Sequence, residues 1–279
     1  MDEVLGIIKN KKFQFNKALG QNFITDKFIL QAIVKDAGIT KDDVVVEIGT
    51  GAGTLTSALA DVAKKVVSFE VDKNLEPVIN EVIKDKQNVQ VIFADMLKTT
   101  DEEFREWVPE TFKIVANLPY YITSPMIMRF VESGLPIRSM TVMVQKEVAD
   151  RFTANPGTPE YGAITVALNA VSNVTMTRFI SRRVFYPIPN VDSAIVRMDI
   201  EKAKYDIHDM LTFKKLVKAI FTMRRKTIAN NLSYAFNISK QDISSLLNSI
   251  NKNSNIRGEN LTIEDMVTLS NEIFSFINK

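Results

Sequence analysis

There is no cysteine in the 279 residues and only one histidine, His208. The first absence removes disulfides, thiolate nucleophiles and cysteine-based zinc sites. The second leaves no imidazole pair for a metal and a single candidate for any serine–histidine relay. Catalysis, if there is any, has to use other groups, and no metal is expected. No apolar run reaches the roughly 18 to 20 residues that cross a bilayer, and the opening Met1-Asp2-Glu3-Val4-Leu5-Gly6 lacks the basic-then-apolar layout of a signal peptide. A soluble, cytoplasmic protein with no membrane partner is the expectation. Net charge is scarce too, +2 in all, which by itself says little about a polyanionic partner.

What is present is apolar mass and unevenly placed cations. With 46% hydrophobic and 24% charged residues, the chain can bury one sizeable core and add a smaller second unit. Residues 203–279 carry 11 lysines and arginines against 7 acids, so the positive excess sits there. Basic clusters stand at Lys9, Lys11, Lys12 and Lys17, at Arg178, Arg182 and Arg183, and at Lys214, Lys215, Lys218, Arg224, Arg225 and Lys226. Such spacing suits a surface that follows phosphates, and equally suits solvated helix faces.

Between residues 44 and 145, short β-branched runs alternate with helical stretches. Val44-Val45-Val46-Glu47-Ile48, Val66-Val67-Ser68-Phe69, Val89-Gln90-Val91-Ile92-Phe93, Ile114-Val115-Ala116 and Met140-Thr141-Val142-Met143-Val144 are apolar almost throughout. They read as strands buried on both faces. Helical spacing fills 55–63, 75–84 and 126–132. The alternation predicts an α/β fold with a mainly parallel, doubly wound sheet, whose ligands bind beyond the carboxyl ends of the strands. After the turn residues Pro156-Gly157-Thr158-Pro159, further strands are expected at 174–180 and 194–200. From Leu211 onward the spacing is helical, so a small all-helical domain is expected over 203–279, behind a domain over 1–202 that begins with a basic arm.

Gly49-Thr50-Gly51-Ala52-Gly53 follows one strand and precedes a helix, which lets the backbone turn tightly and approach a ligand closely. No Lys-Ser or Lys-Thr pair follows it, so it is not a P-loop. Glu70 ends the next strand, about twenty residues after the first glycine, where an acid accepts hydrogen bonds from ribose hydroxyls. Asp95 ends the third, placed to hold the exocyclic amine of a cofactor adenine. A nicotinamide dinucleotide would fit these three features almost as well, so the fourth strand decides.

That strand ends in Asn117-Leu118-Pro119-Tyr120. The N6 amine of adenine is a poor nucleophile, its lone pair delocalised into the ring. Positioning has to activate it: the Asn117 side-chain oxygen and a backbone carbonyl near Leu118 or Pro119 accept its two hydrogens and aim the developing lone pair at a methyl donor. Pro119 contributes no amide hydrogen, and Tyr120 offers a face for the base to stack on.

Asn117-Leu118-Pro119-Tyr120 resembles the N-[L/P]-P-Y signature of amino-methyltransferases. From about residue 15 to 275 the chain resembles the KsgA/Dim family of ribosomal RNA adenine dimethyltransferases, which also covers the Erm resistance methylases. Leu19-Gly20-Gln21-Asn22-Phe23-Ile24 is similar to that family's G-Q-N-F-L opening. Phe185-Tyr186-Pro187-Ile188-Pro189-Asn190-Val191-Asp192-Ser193 is similar to F-x-P-x-P-x-V-x-S, a segment that by itself reads as a rigid proline loop with a core aromatic. Phe221 to Leu232 is similar to F-x-x-R-R-K-x-x-x-N-x-L, a run of the KsgA branch that favours small-subunit over large-subunit rRNA. Ile24 stands where Leu is usual and Thr50 where Pro is common. The resemblance implies a Rossmann-like class I methyltransferase domain, S-adenosylmethionine as cofactor, and transfer to N6 of two adjacent adenines in a loop near the 3′ end of small-subunit rRNA. It implies that Asn22, Ile24, Gly49, Gly51, Glu70, Asp95 and Asn117 hold the cofactor. The reacting amine would meet Asn117, Leu118, Pro119 and Tyr120, with Phe185 packed on the target base. A monomer acting on a pre-assembled small subunit is expected; an Erm-type methylase and a non-catalytic RNA-binding assembly or transcription factor are the rivals.

Overall fold

The computed structural model of the protein describes residues 2–11, 13, 20–24, 26–222 and 226–278. In chain order its elements are α1 (Asp2–Asn10), β1 (Phe23–Ile24), α2 (Lys27–Asp36), β2 (Val44–Ile48), α3 (Thr54–Ala60), β3 (Lys65–Glu70), α4 (Glu76–Val82), β4 (Val89–Phe93), α5 (Asp101–Trp107), β5 (Phe112–Asn117), α6 (Thr123–Val131) and β6 (Ile137–Gln145). Then come α7 (Lys146–Phe152), α8 (Ala163–Asn169), β7 (Ser172–Ile180), β8 (Phe185–Tyr186), β9 (Ser193–Ile200), α9 (Met210–Thr222), α10 (Ile228–Phe236), α11 (Lys240–Ser249) and α12 (Ile263–Ile277). Among the described residues no helix is long and apolar enough to cross a membrane.

Seven strands form one sheet in the order β4-β3-β2-β5-β6-β9-β7. The first five in that order run parallel, and β9 lies antiparallel to β6. The predicted strands are all there, with one difference in burial. β2 is buried along its whole length, whereas β4 is only half-buried, because it is an edge strand with β3 as its one neighbour. The helix α5 has no counterpart in the hydrophobic spacing. Its sequence is mostly charged; a Thr100–Glu103 capping box starts it, and Phe104 anchors it among the rings of Phe69, Phe112 and Phe130.

Strand order reverses between β2 and β5: β3 and β4 extend the sheet to one side of β2, β5 and β6 to the other. Crossovers that diverge at that point leave a crevice beyond the carboxyl ends of β2 and β5. A Cβ on Gly49, just past β2, would lie 3.6 Å from the Asn117 carbonyl at the end of β5, so the two strand ends converge there. The pair β1 and β8 joins Phe23 to Tyr186 and Ile24 to Phe185, bringing the segment before the sheet onto the proline loop.

The chain divides into two compact units, residues 1–149 with 175–200, and residues 150–174 with 201–279. The boundary expected near 203 separates off α9 to α12, but it assigns 150–174 to the first domain. In the structure Tyr161, Val166 and Ala170 share one buried cluster with Phe213, Leu216 and Leu232, and the Tyr161 hydroxyl donates to the Leu261 carbonyl at 3.1 Å. The apolar face of α8 is covered by residues some fifty or more positions later, a pairing that local spacing does not reveal.

In the helical unit, Gly258 is buried, and a Cβ there would fall 2.1 Å from Ile220 Cγ2 and 3.2 Å from the Ile220 carbonyl oxygen. Gly258→Ala is therefore expected to cost about 1–3 kcal/mol of stability, read as a lower urea midpoint. A midpoint equal to that of the native chain would show that α9 yields without cost.

Candidate active site

β2 ends at Ile48, and the chain turns through Gly49, Gly51 and Gly53 with φ of +83°, +57° and +82°, a region that glycine enters without steric cost. The Gly49 N–H donates to the Phe69 carbonyl at 2.8 Å, stitching the turn to β3. Gly51 also has to be small, since a Cβ would press on the Phe23 ring at 3.2 Å. This loop forms one wall of a cavity of about 360 Å³ at the switch point.

Glu70, at the end of β3, is buried and accepts backbone N–H groups from Gly51 (2.8 Å), Val71 (2.9 Å) and Asp72 (3.0 Å). Burial pushes its carboxyl up, and the three N–H donors hold it down. The carboxylate thus fixes both the glycine loop and the β3 turn on one side of the cavity.

Below the loop lies a second acid. Glu47 is fully buried inside β2, and its Oε2 accepts hydroxyl bonds from Ser68 (2.6 Å) and Thr56. Thr50 pairs with Ser68 at 2.6 Å. Glu47 Oε1 is buried without a hydrogen-bond partner among the described residues. Burial pushes the Glu47 carboxyl up to about 8, the two hydroxyls pulling it back and the nearby Glu70 charge adding to the rise. A charged residue in a Val-rich strand is a visible irregularity in the sequence, and this network is what it marks.

Across the cavity, Asn117 Nδ2 donates to the Asn22 carbonyl at 3.2 Å. That bond assigns the two ends of the amide: the nitrogen is engaged, and Oδ1 remains an acceptor. The Pro119 carbonyl is taken by the Ile122 N–H (3.1 Å) and the Thr123 hydroxyl (3.2 Å). Of the two carbonyls expected from sequence, Leu118 is therefore the one left to accept. Tyr120 is partly buried, and its hydroxyl pairs with Ser193 Oγ at 2.8 Å, which orients the ring; burial raises the phenol's pKa. Ser193 closes the proline segment recognised in the sequence, but the segment alone does not say what it holds.

All eleven site residues expected from sequence line this one cavity: Asn22, Ile24, Gly49, Gly51, Glu70, Asp95, Asn117, Leu118, Pro119, Tyr120 and Phe185. Asn22 Nδ2 donates to the Gly20 carbonyl at 3.1 Å, and α2 is capped by Asp26, which accepts from the Phe28 and Ile29 N–H groups. Phe185 is buried in the core cluster with Ile24 and Met143 while lining the cavity as well. Asp95 accepts from the Leu97 N–H (3.1 Å) and pairs with the exposed Lys98 (3.2 Å), an ion pair too exposed to hold it strongly. Gln21, Glu47, Val71 and Leu97 were not anticipated. Val71 and Leu97 are exposed apolar side chains on the cavity wall, and Gln21 Nε2 donates to Asp72 at 2.8 Å.

The basic clusters divide. Arg178 is fixed by a two-pronged pair with Asp36, whereas Lys11 makes only a long, exposed pair with Glu81 at 3.8 Å, which holds it weakly. Arg182 and Arg183 are exposed, as are Lys214, Lys215, Lys218 and Lys226 in the helical unit. Lys12, Lys17, Arg224, Arg225 and the side chain of Lys9 lie outside the described residues.

The family model described as ribosomal RNA adenine dimethylase matches residues 12–275. Ribosomal RNA small subunit methyltransferase A of Clostridioides difficile (strain 630) is 41% identical over 273 residues, covering 96% of this chain and 93% of that protein. The protein of the same name from Enterococcus faecalis (strain ATCC 700802 / V583) is 42% identical over 276 residues, covering 96% and 93%. Among solved structures, a dimethyladenosine transferase from Plasmodium falciparum matches with a TM-score of 0.80 at 25% identity, over 91% of this chain and 98% of that one. The 23S rRNA methyltransferase ErmE matches at 0.70 and 26%, over 90% and 99%.

Glu47 yields a pH prediction. Between about pH 4.5 and 8 it is protonated in the folded chain and ionised in the unfolded one. The folded state binds more protons, and this residue's contribution to stability falls as pH rises through that window. Glu70, also raised, acts in the same direction. Glu47→Gln, which cannot ionise, should gain stability over the native chain progressively from pH 5 to 8, by on the order of 4 kcal/mol, and no further above. Urea denaturation at several pH values measures it; a difference independent of pH would contradict the assignment.

Proposed function

The chain belongs to the ribosomal RNA adenine dimethylase family, and from that membership we propose how its cavity is used. The protein is an S-adenosylmethionine-dependent rRNA adenine dimethyltransferase with a Rossmann-like α/β domain. The observation that carries our reading of the site is the Asn117–Asn22 bond, which leaves Asn117 Oδ1 and the Leu118 carbonyl as acceptors at the end of β5.

The residues fit the cofactor. A left-handed glycine turn admits close approach, a buried acid stands at the end of β3, and exposed Val71 and Leu97 give an otherwise unexplained apolar lining. When bound, S-adenosylmethionine supplies an electrophilic methyl. Glu70 would accept ribose hydroxyls through the lone pairs its backbone donors leave free, Asp95 would exchange Lys98 for an adenine amine, and Val71 and Leu97 would cover the purine faces. Asn22, Ile24, Gly49 and Gly51 shape the space, and Asn117 holds Asn22 in place.

For the substrate, Asn117 Oδ1 and the Leu118 carbonyl accept the two N6 hydrogens of adenine. This favours a nitrogen becoming tetrahedral and positively charged over a planar amine. Pro119 keeps Leu118 extended, and Tyr120, anchored by Ser193, stacks on the base with Phe185 at its other side. The base must leave its own stack to enter, so loop or single-stranded RNA is the substrate form. We place the reaction on two adjacent adenines of small-subunit rRNA, in a pre-assembled subunit, by a cytoplasmic monomer; the names and high identity of the bacterial relatives support the subunit. An Erm-type activity on the large subunit is the second reading, favoured only by the likeness to ErmE. A purely binding role is disfavoured by the intact acceptor geometry.

Labelled S-adenosylmethionine supplied with separated, unmodified subunits should label adenine on the small one; label confined to the large subunit would overturn the choice. Asn117→Ala is expected to lower kcat by about 10²- to 10³-fold while cofactor Kd stays within about threefold. Equal losses in both would remove it from the reacting centre. Tyr120→Phe should keep most of the activity that Tyr120→Ala loses, because the ring face is retained and only the Ser193 tether goes.

A further inference from the structure

We propose that Tyr121 and Tyr186 form an outer aromatic subsite that stacks the nucleotide next to the target adenine. This rests on the reading of the cavity as an RNA methylation site. Two aromatic pairs sit at the cavity, Tyr120-Tyr121 and Phe185-Tyr186. In each the first ring is at least partly buried and lines the cavity, and the second is exposed, Tyr121 by 60% and Tyr186 by 44%. The inner rings are those assigned to the target base, and the outer rings lie one residue further along each chain.

Both outer positions are built. Tyr121 packs beside Gly20, where a Cβ would meet its ring carbons at 3.6 and 3.7 Å and where φ is +60°, so backbone supports the ring. Tyr186 pairs with Phe23 across β8 and β1. Residues 20–23 thus run from one tyrosine to the other, a span of at most about 10 Å for three residue steps. Beyond Tyr186, Ile188 and Val191 are also exposed. Their loop is tethered: Arg182 Nη1 donates to the Asn190 carbonyl (2.9 Å), the Arg182 N–H to Asp192 Oδ1 (2.9 Å), and the Lys146 N–H to the Asp192 carbonyl (3.0 Å). Apolar side chains held out into water on a fixed loop mark a contact surface.

The occupant is RNA by charge and by continuity. Arg183 is exposed with no carboxylate partner among the described residues, beside Arg182, while the one acid of the loop, Asp192, is engaged by the Arg182 backbone. The surface continues directly from the cavity that takes the target base. Tyrosine faces next to unpaired arginine are what an unstacked nucleotide and its phosphate require.

The test uses the full-length protein and a loop RNA carrying 2-aminopurine next to the target adenine. Binding to the native protein should quench the probe. Tyr121→Ala and Tyr186→Ala should each lose most of that quenching and raise KM for RNA about tenfold, with cofactor Kd within twofold, whereas Tyr121→Phe and Tyr186→Phe keep both. Unchanged quenching and KM in the alanine variants, or phenylalanine variants as deficient as alanine, would overturn stacking at these residues. A native protein that methylates no adenine in this RNA or in the unmodified small subunit overturns the underlying reading instead, a result the variants do not produce.

Discussion

One hydrogen bond, from Asn117 Nδ2 to the Asn22 carbonyl, organises the functional side of this molecule. It joins the last residue of β5 to a segment that precedes the sheet in the chain, and both residues line the same cavity. The same bond decides the chemistry of the amide. With the nitrogen committed to the protein, the amide oxygen is the end that remains to accept a hydrogen bond. Residues 20–24 depend on further ties, Gln21 to Asp72 and the Thr54 hydroxyl to the Ile24 carbonyl, which connect that segment to the turn after β3 and to the start of α3.

The opposite wall is built on buried acids, which cost folding energy where they stand. Glu70 is compensated by three backbone donors and Glu47 by two hydroxyls, with one oxygen of Glu47 unsatisfied. Burying an acid with incomplete partners raises its pKa and reduces stability near neutrality. Glu47, raised to about 8, is neutral near pH 7 and acts there as a buried hydrogen-bonding group that ties β2 to α3 and β3 through Thr56 and Ser68. The outer surface is built differently: Tyr121 and Tyr186 are exposed next to the inner rings Tyr120 and Phe185, while Glu47 and Glu70 are buried.

Much of this is legible in the amino-acid sequence. The Val-rich runs at 44–48 and 89–93 are strands, the glycine turn follows the first of them, and the acids at 70 and 95 stand at strand ends. Backbone conformation at those places is set by neighbours in the chain, so local sequence carries the information. Where long-range partners determine the outcome, the reading fell short. α5 is held by a cap and one aromatic anchor, 150–174 packs with helices that come much later, and Arg178 is spent on Asp36.

The sequence by itself determined that adenine chemistry was in question, because Asn117-Leu118-Pro119-Tyr120 places an amide, a proline and an aromatic ring in four consecutive residues. It left open which carbonyl assists the amide. Only the tertiary structure engages the Pro119 carbonyl with Ile122, commits the Asn117 nitrogen to Asn22 and sets Tyr120 against Ser193. Those choices are hydrogen bonds to residues 3 to 95 positions away, and a donor can be assigned to an acceptor only when the fold has brought the two together.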